Sequence, residues 1–169
     1  MRFLVDRGPL YAAFIEHPAT DICREILQAL KPEQSPYGEI LGIVPGLYVA
    51  QMHVRLCDPS VVDPPLKHDL VRKITKELDK FGQLRIAYLG SYQLDSGLDA
   101  MTAERFYTAD EDEAYRFWTV RAEKVERVVT FEKSRFRAFP ELPVQTPAEF
   151  LRDLKAFAFR SRPGRAWTG

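Results

Sequence analysis

The chain has 169 residues, 46% of them hydrophobic and 28% charged, with 24 basic side chains against 24 acidic ones. High hydrophobicity with no net charge excludes an intrinsically disordered chain, and 9 Gly and 12 Pro are too few for a collagenous or low-complexity one. One compact domain is the expectation at this length, with residues 1–159 forming an α+β body and 160–169 a basic C-terminal tail.

Arg2 and Asp6 interrupt the first seven residues, so no signal-type apolar run opens the chain, and no stretch approaches the ~18 apolar residues of a membrane span. The two cysteines, Cys23 and Cys57, lack CxxC spacing and are too few for a disulfide scaffold, which points to a reducing, cytoplasmic setting.

Arg2–Val5 and Leu10–Ile15 read as short strands around the turn-like Asp6-Arg7-Gly8-Pro9. Ile22, Ile26 and Leu30 recur at helical spacing and predict a helix over 18–31, closed by Pro32, with Cys23 facing the core as inert packing. Glu39–Val44 and Leu47–Cys57 flank Pro45-Gly46 and read as a hairpin. In its second arm Tyr48, Ala50, Met52, Val54 and Leu56 alternate with Gln51, His53 and Arg55.

Asp63-Pro64 starts a second helix that runs to about Lys80, where Gly82 caps it. Leu84–Leu94 carries apolar residues on both parities, as a covered strand does. Thr108-Ala109-Asp110-Glu111 is a capping box for a helix over 109–121, followed by a strand over 127–139. A second capping box, Thr146 to Glu149 with Pro147 between, opens a last helix to about Phe159. Together these elements predict a single α+β domain: a mixed, mostly antiparallel sheet of about five or six strands, with three or four helices packed mainly on one face.

Three constellations bear on function. On a strand, Gln51, His53 and Arg55 would line up ~6.5–7 Å apart and grip a small anionic substrate, although a half-exposed strand shows polar residues to water for no functional reason. Residues 95–113 hold seven acids against Arg105 alone, and 114–169 hold twelve bases against six acids. Within that basic third, Arg127, Lys133, Arg135 and Arg137 share one strand parity with Phe131 and Phe139 and could follow a phosphate backbone. The tail adds Arg160, Arg162, Arg165 and Trp167, residue types enriched at binding hot spots.

No metal site, cofactor loop or catalytic constellation emerges. The histidines never pair at ligand spacing, and the consecutive acids Asp110, Glu111, Asp112 and Glu113 diverge around a helix. The leading expectation is therefore a non-enzymatic interaction subunit docking another protein chain, a copy of itself or a different one, through Arg160, Arg162, Arg165 and Trp167. Nucleic-acid binding through 127–139 and the tail is the alternative, and an enzyme using His53 and Arg55 the third. No membrane partner is expected.

Overall fold

The structure, a computed structural model, describes residues 1–31, 39–56, 76–88 and 111–160, together with Tyr37 and Arg72. Five strands form one sheet: β1 (Arg2–Val5), β2 (Leu41–Pro45), β3 (Leu84–Ala87), β4 (Arg127–Val129) and β5 (Val144–Gln145). Their order is β3-β2-β1-β4-β5, and every neighbouring pair is parallel. The described helices are α1 (Arg7–Ala12), α2 (Thr20–Gln28), α3 (Gly46–Leu56), α4 (Glu111–Ala122) and α5 (Pro147–Arg160), with a 3-10 turn at Lys133–Phe136.

This overturns the expected mostly antiparallel sheet with helices mainly on one face. The reason lies in β1, where the consecutive residues Phe3, Leu4 and Val5 are all buried. A strand buried on both parities needs cover on both faces, the condition that parallel sheets satisfy with crossover helices. Phe3, Val5, Val44 and Val129 pack with residues of α1, α2, α3 and α5 in one core, while Leu4, Ile43, Ala87 and Val128 pack with α4 and the 136–142 segment in the other.

Leu10–Ile15 is not a strand: α1 covers Arg7–Ala12. The hairpin over 39–57 is likewise replaced by β2 and α3. Tyr48, Met52 and Leu56 stand at i, i+4 and i+8, positions that satisfy a period of 2 and a period of 3.6 alike. The adjacent pair Tyr48 and Val49, both packed into the same core, separates the two readings, because neighbours in a strand face opposite ways. The strand expected over 127–139 is three residues long and gives way to the 3-10 turn.

The helices expected over 18–31, 109–121 and 146–159 correspond to α2, α4 and α5. Of the helix expected over 64–80, Arg72 and residues 76–78 are helical and the remainder up to 75 lies outside the described residues. β3 forms the first four residues of the strand expected over 84–94.

The second capping box forms as its spacing requires. The Thr146 amide donates to Glu149 Oε2 at 2.8 Å, and the Glu149 amide donates to Thr146 Oγ1 at 3.3 Å. Lys133 Nζ also reaches Glu149 Oε2 at 2.7 Å. The Lys133 ammonium, followed by the Thr146 amide, holds the Glu149 carboxyl down at about 2. A carboxyl lowered on folding stabilises the fold above its ordinary value of 4.5, and that contribution fades as the pH falls towards 2. Glu149→Gln is expected to lower the urea midpoint at neutral pH and to flatten its pH dependence between 4.5 and 2. Thr146→Ala is expected to cost about 1 kcal/mol in the same measurement at neutral pH. Midpoints that do not move in either variant would contradict this assignment.

Candidate functional site at the carboxyl edge of the sheet

Strand order changes direction at β1, with β2 and β3 on one side and β4 and β5 on the other. In open parallel sheets the ligand crevice lies outside the carboxyl ends of the strands at such a switch point. The residues placed there are Asp6, directly after β1, and Thr130, directly after β4.

These two residues tie the strand ends together. The Asp6 amide donates to the Val129 carbonyl at 3.0 Å, and the Thr130 hydroxyl donates to Asp6 Oδ2 at 2.6 Å. The same hydroxyl accepts the Glu132 amide at 3.0 Å. Asp6 occupies the N-cap of α1, and its carbonyl accepts the Leu10 amide at 3.1 Å, but its side chain makes no cap hydrogen bond. Aspartate is favoured at N-caps because its carboxylate takes up a free amide of the first turn. Here the carboxylate is diverted to the switch point, where the residue is only 2% exposed and Oδ1 has no hydrogen-bond partner among the described residues.

Tyr48 from α3 and Arg116 from α4 complete the cluster. Burial, and after it the neighbouring Asp6 charge, pushes the Tyr48 phenol above its ordinary range, with Arg116 opposing. Its hydroxyl lies near both charged groups yet makes no well-formed hydrogen bond among the described residues. Arg116 is 6% exposed, and its guanidinium stands 5.9 Å over the Phe136 ring with Nη1 unmatched among the described residues. Thr119, three residues further along α4, is fully buried with its hydroxyl unmatched as well. Buried polar atoms are nearly always paired with protein or ordered water. Among the described residues, Asp6 Oδ1, the Tyr48 hydroxyl and Arg116 Nη1 are left unmatched near the carboxyl edge.

The residues singled out from sequence fall in different places. Gln51 joins the edge of this cluster and accepts Arg7 Nη1 at 3.0 Å. His53 and Arg55 belong to α3, not to a strand. Lys133, Arg135 and Arg137 follow Thr130 in and just after the 3-10 turn. Lys133 pairs with Glu149, Arg135 stands 3.8 Å from Glu132, and Arg137 is exposed. Arg127 starts β4 at the opposite edge of the sheet, where it donates to Gln145 Oε1 at 3.3 Å. Arg160 ends α5, and Arg162, Arg165 and Trp167 lie outside the described residues, as do most of the acids between 95 and 113.

Cys23 is buried on α2 as expected, its thiol pushed up to about 11 by that burial. Cys57 lies outside the described residues. Among the described residues no group of three His, Cys, Asp or Glu could hold a metal ion, and no helix is long and apolar enough to cross a membrane. Sequence reasoning missed Asp6, Tyr48, Arg116, Thr119 and Thr130. The available signals were an acid directly ending an apolar strand, and an arginine and a threonine set among the apolar residues of 114–120.

No family model matches the chain, and no curated protein matches it in sequence. Among solved structures, a chain of VapBC2 from Rickettsia felis, determined bound to a DNA fragment from their promoter, is similar at a TM-score of 0.52 and 14% identity. The alignment covers 86% of this chain and 98% of that one. At that identity the likeness is one of fold, and it spans nearly the whole of the neighbour.

The Asp6–Thr130 pair can be tested alone. Thr130→Val keeps the shape but removes the only described donor to the buried carboxylate, and it is expected to cost about 1–3 kcal/mol in urea unfolding. Thr130→Ser keeps the hydroxyl and is expected to lose far less. Equal losses in the two variants would show that the methyl group matters here and the hydrogen bond does not.

Proposed function

We propose that the chain is a nucleic-acid-binding domain that works beside a partner chain, with the nucleic acid lying across the carboxyl edge of the sheet at the β1–β4 switch point. The observation that carries this reading is the placement of charge: Lys133, Arg135 and Arg137 follow the carboxyl end of β4 directly, next to the Asp6, Tyr48 and Arg116 cluster. Of these, Lys133 and Arg137 are exposed, Lys133 in an ion pair with Glu149, and exposed bases contact phosphates without sequence preference and set the salt dependence of binding. The structure containing the similar chain supports the reading, since VapBC2 is there bound to a DNA fragment. Arg160, Arg162, Arg165 and Trp167 remain the segment proposed to engage the partner chain.

A second reading is favoured by Asp6 Oδ1, unmatched among the described residues, and the buried Arg116, both close to the Tyr48 phenol. A hard divalent cation binds through one or two carboxylates plus substrate phosphates, and a cation together with an arginine stabilises the charge that develops in phosphodiester hydrolysis. In that reading Asp6 holds the cation and Arg116 the phosphate.

Fluorescence anisotropy with labelled oligonucleotides tests the first reading. Binding is expected to weaken as salt rises, and Arg137→Ala is expected to reduce the slope of log K against log salt by about 1. Binding that ignores salt, or a slope unchanged by Arg137→Ala, would contradict it. For the second reading, cleavage of end-labelled strands in Mg²⁺ is expected from the native chain and not from Asp6→Asn. Cleavage that survives in Asp6→Asn would remove it.

A further inference from the structure

The carboxyl edge carries two exposed aromatic rings, one on each side of the switch point. Tyr88 directly follows β3 and is 66% exposed, and Phe131 follows Thr130 beyond β4 and is 38% exposed. Each is seated on a glycine at the start of a helix. A Cβ built on Gly46, the first residue of α3, would come within 2.5 Å of Tyr88 Cδ1. A Cβ on Gly8, in the first turn of α1, would come within 2.9 Å of Phe131 Cδ2. At both positions any larger residue would push the ring off its seat. The His17 ring lies 5.2 Å from that of Phe131, tilted by 31°, and its Nδ1 accepts the Ala19 amide at 3.1 Å. These contacts hold the rings in place while leaving much of their surface in solvent.

We propose that Tyr88 and Phe131 are stacking platforms for the bases of single-stranded nucleic acid. The inference rests on the nucleic-acid reading above and narrows its ligand to unpaired strands. Three interstrand steps of ~4.8 Å place the carboxyl ends of β3 and β4, which the two rings follow, about 14 Å apart, a gap that a few nucleotides bridge. The charge near Phe131 suits such a ligand: in the segment that follows it, Lys133, paired with Glu149, and Arg137 are exposed. Bases in a duplex have their faces occupied by their neighbours, whereas an unpaired base can place its face on an exposed aromatic side chain.

The test is binding of fluorescein-labelled single-stranded DNA, single-stranded RNA and duplex DNA of equal length by the full chain and by Tyr88→Ala and Phe131→Ala. Circular dichroism confirms folding, and Tyr88→Phe and Phe131→Tyr serve as variants that keep a ring. Each alanine variant is expected to weaken single-strand binding by about 5- to 150-fold, to leave duplex binding unchanged, and to be rescued by the aromatic replacement. A 2-aminopurine base in the strand is expected to lose fluorescence on binding the native chain and to regain it in the alanine variants. The DNA and RNA arms tell which strand is preferred.

Single-strand binding that is equal in native and alanine chains, yet still depends on Arg137, would overturn the platforms and leave nucleic-acid binding standing. Absence of any binding by the native chain would remove both. Loss of self-association in the alanine variants, with nucleic-acid binding untouched, would assign the rings to a protein interface and also overturn the proposal.

Discussion

Strands β1 and β4 lie far apart in the chain, and at their carboxyl ends the Thr130 hydroxyl reaches the Asp6 carboxylate over 2.6 Å. A buried carboxylate is tolerable only when donors surround it, so this contact sets conditions on everything around it. It withdraws Asp6 from the capping role its position offers, and it leaves the second carboxylate oxygen unmatched beside Tyr48 and Arg116. Such an arrangement weakens α1 locally and concentrates unspent hydrogen-bonding capacity at the point where a parallel sheet admits ligands.

The same strand end organises the accessible surface. Thr130 is fully buried, and the next residue, Phe131, is exposed and rests on Gly8. In the 3-10 turn that follows, Lys133 is exposed while Phe136 anchors the turn in the second core. Buried polar cluster, exposed ring and basic turn therefore follow one another within a single short segment. The paired arrangement after β2 and β3, where Tyr88 rests on Gly46, extends that surface to the other side of the switch.

How much of this was legible in the sequence depended on whether local chemistry or tertiary context decides each element. The Thr146–Glu149 box is a local device and forms with the bonds its spacing implies. The stripe Cys23, Ile26, Leu27 and Leu30 is long enough for its period to identify α2 and its core. By contrast β4 is three residues long and β5 two, too short for any periodicity to show which way they pair. In α3 the positions 48, 52 and 56 fit both periods, and it is the packing of adjacent Tyr48 and Val49 into one core that settles the matter. The candidate site was illegible for a related reason. Asp6-Arg7-Gly8-Pro9 has the composition of a turn, and its meaning changes only when a parallel sheet brings Thr130 across from more than a hundred residues away.

The claim at the centre of this account is that ligand meets the molecule at the carboxyl edge of β1 and β4. Backbone amide chemical shifts, followed during titration with a short single-stranded oligonucleotide, test it most directly. Saturable shifts are expected at Asp6, Thr130, Phe131 and Arg137, with Arg2, Arg127 and Glu123 at the amino edge unmoved. Shifts confined to the amino edge, with the Asp6 and Thr130 amides unchanged at saturation, would contradict it.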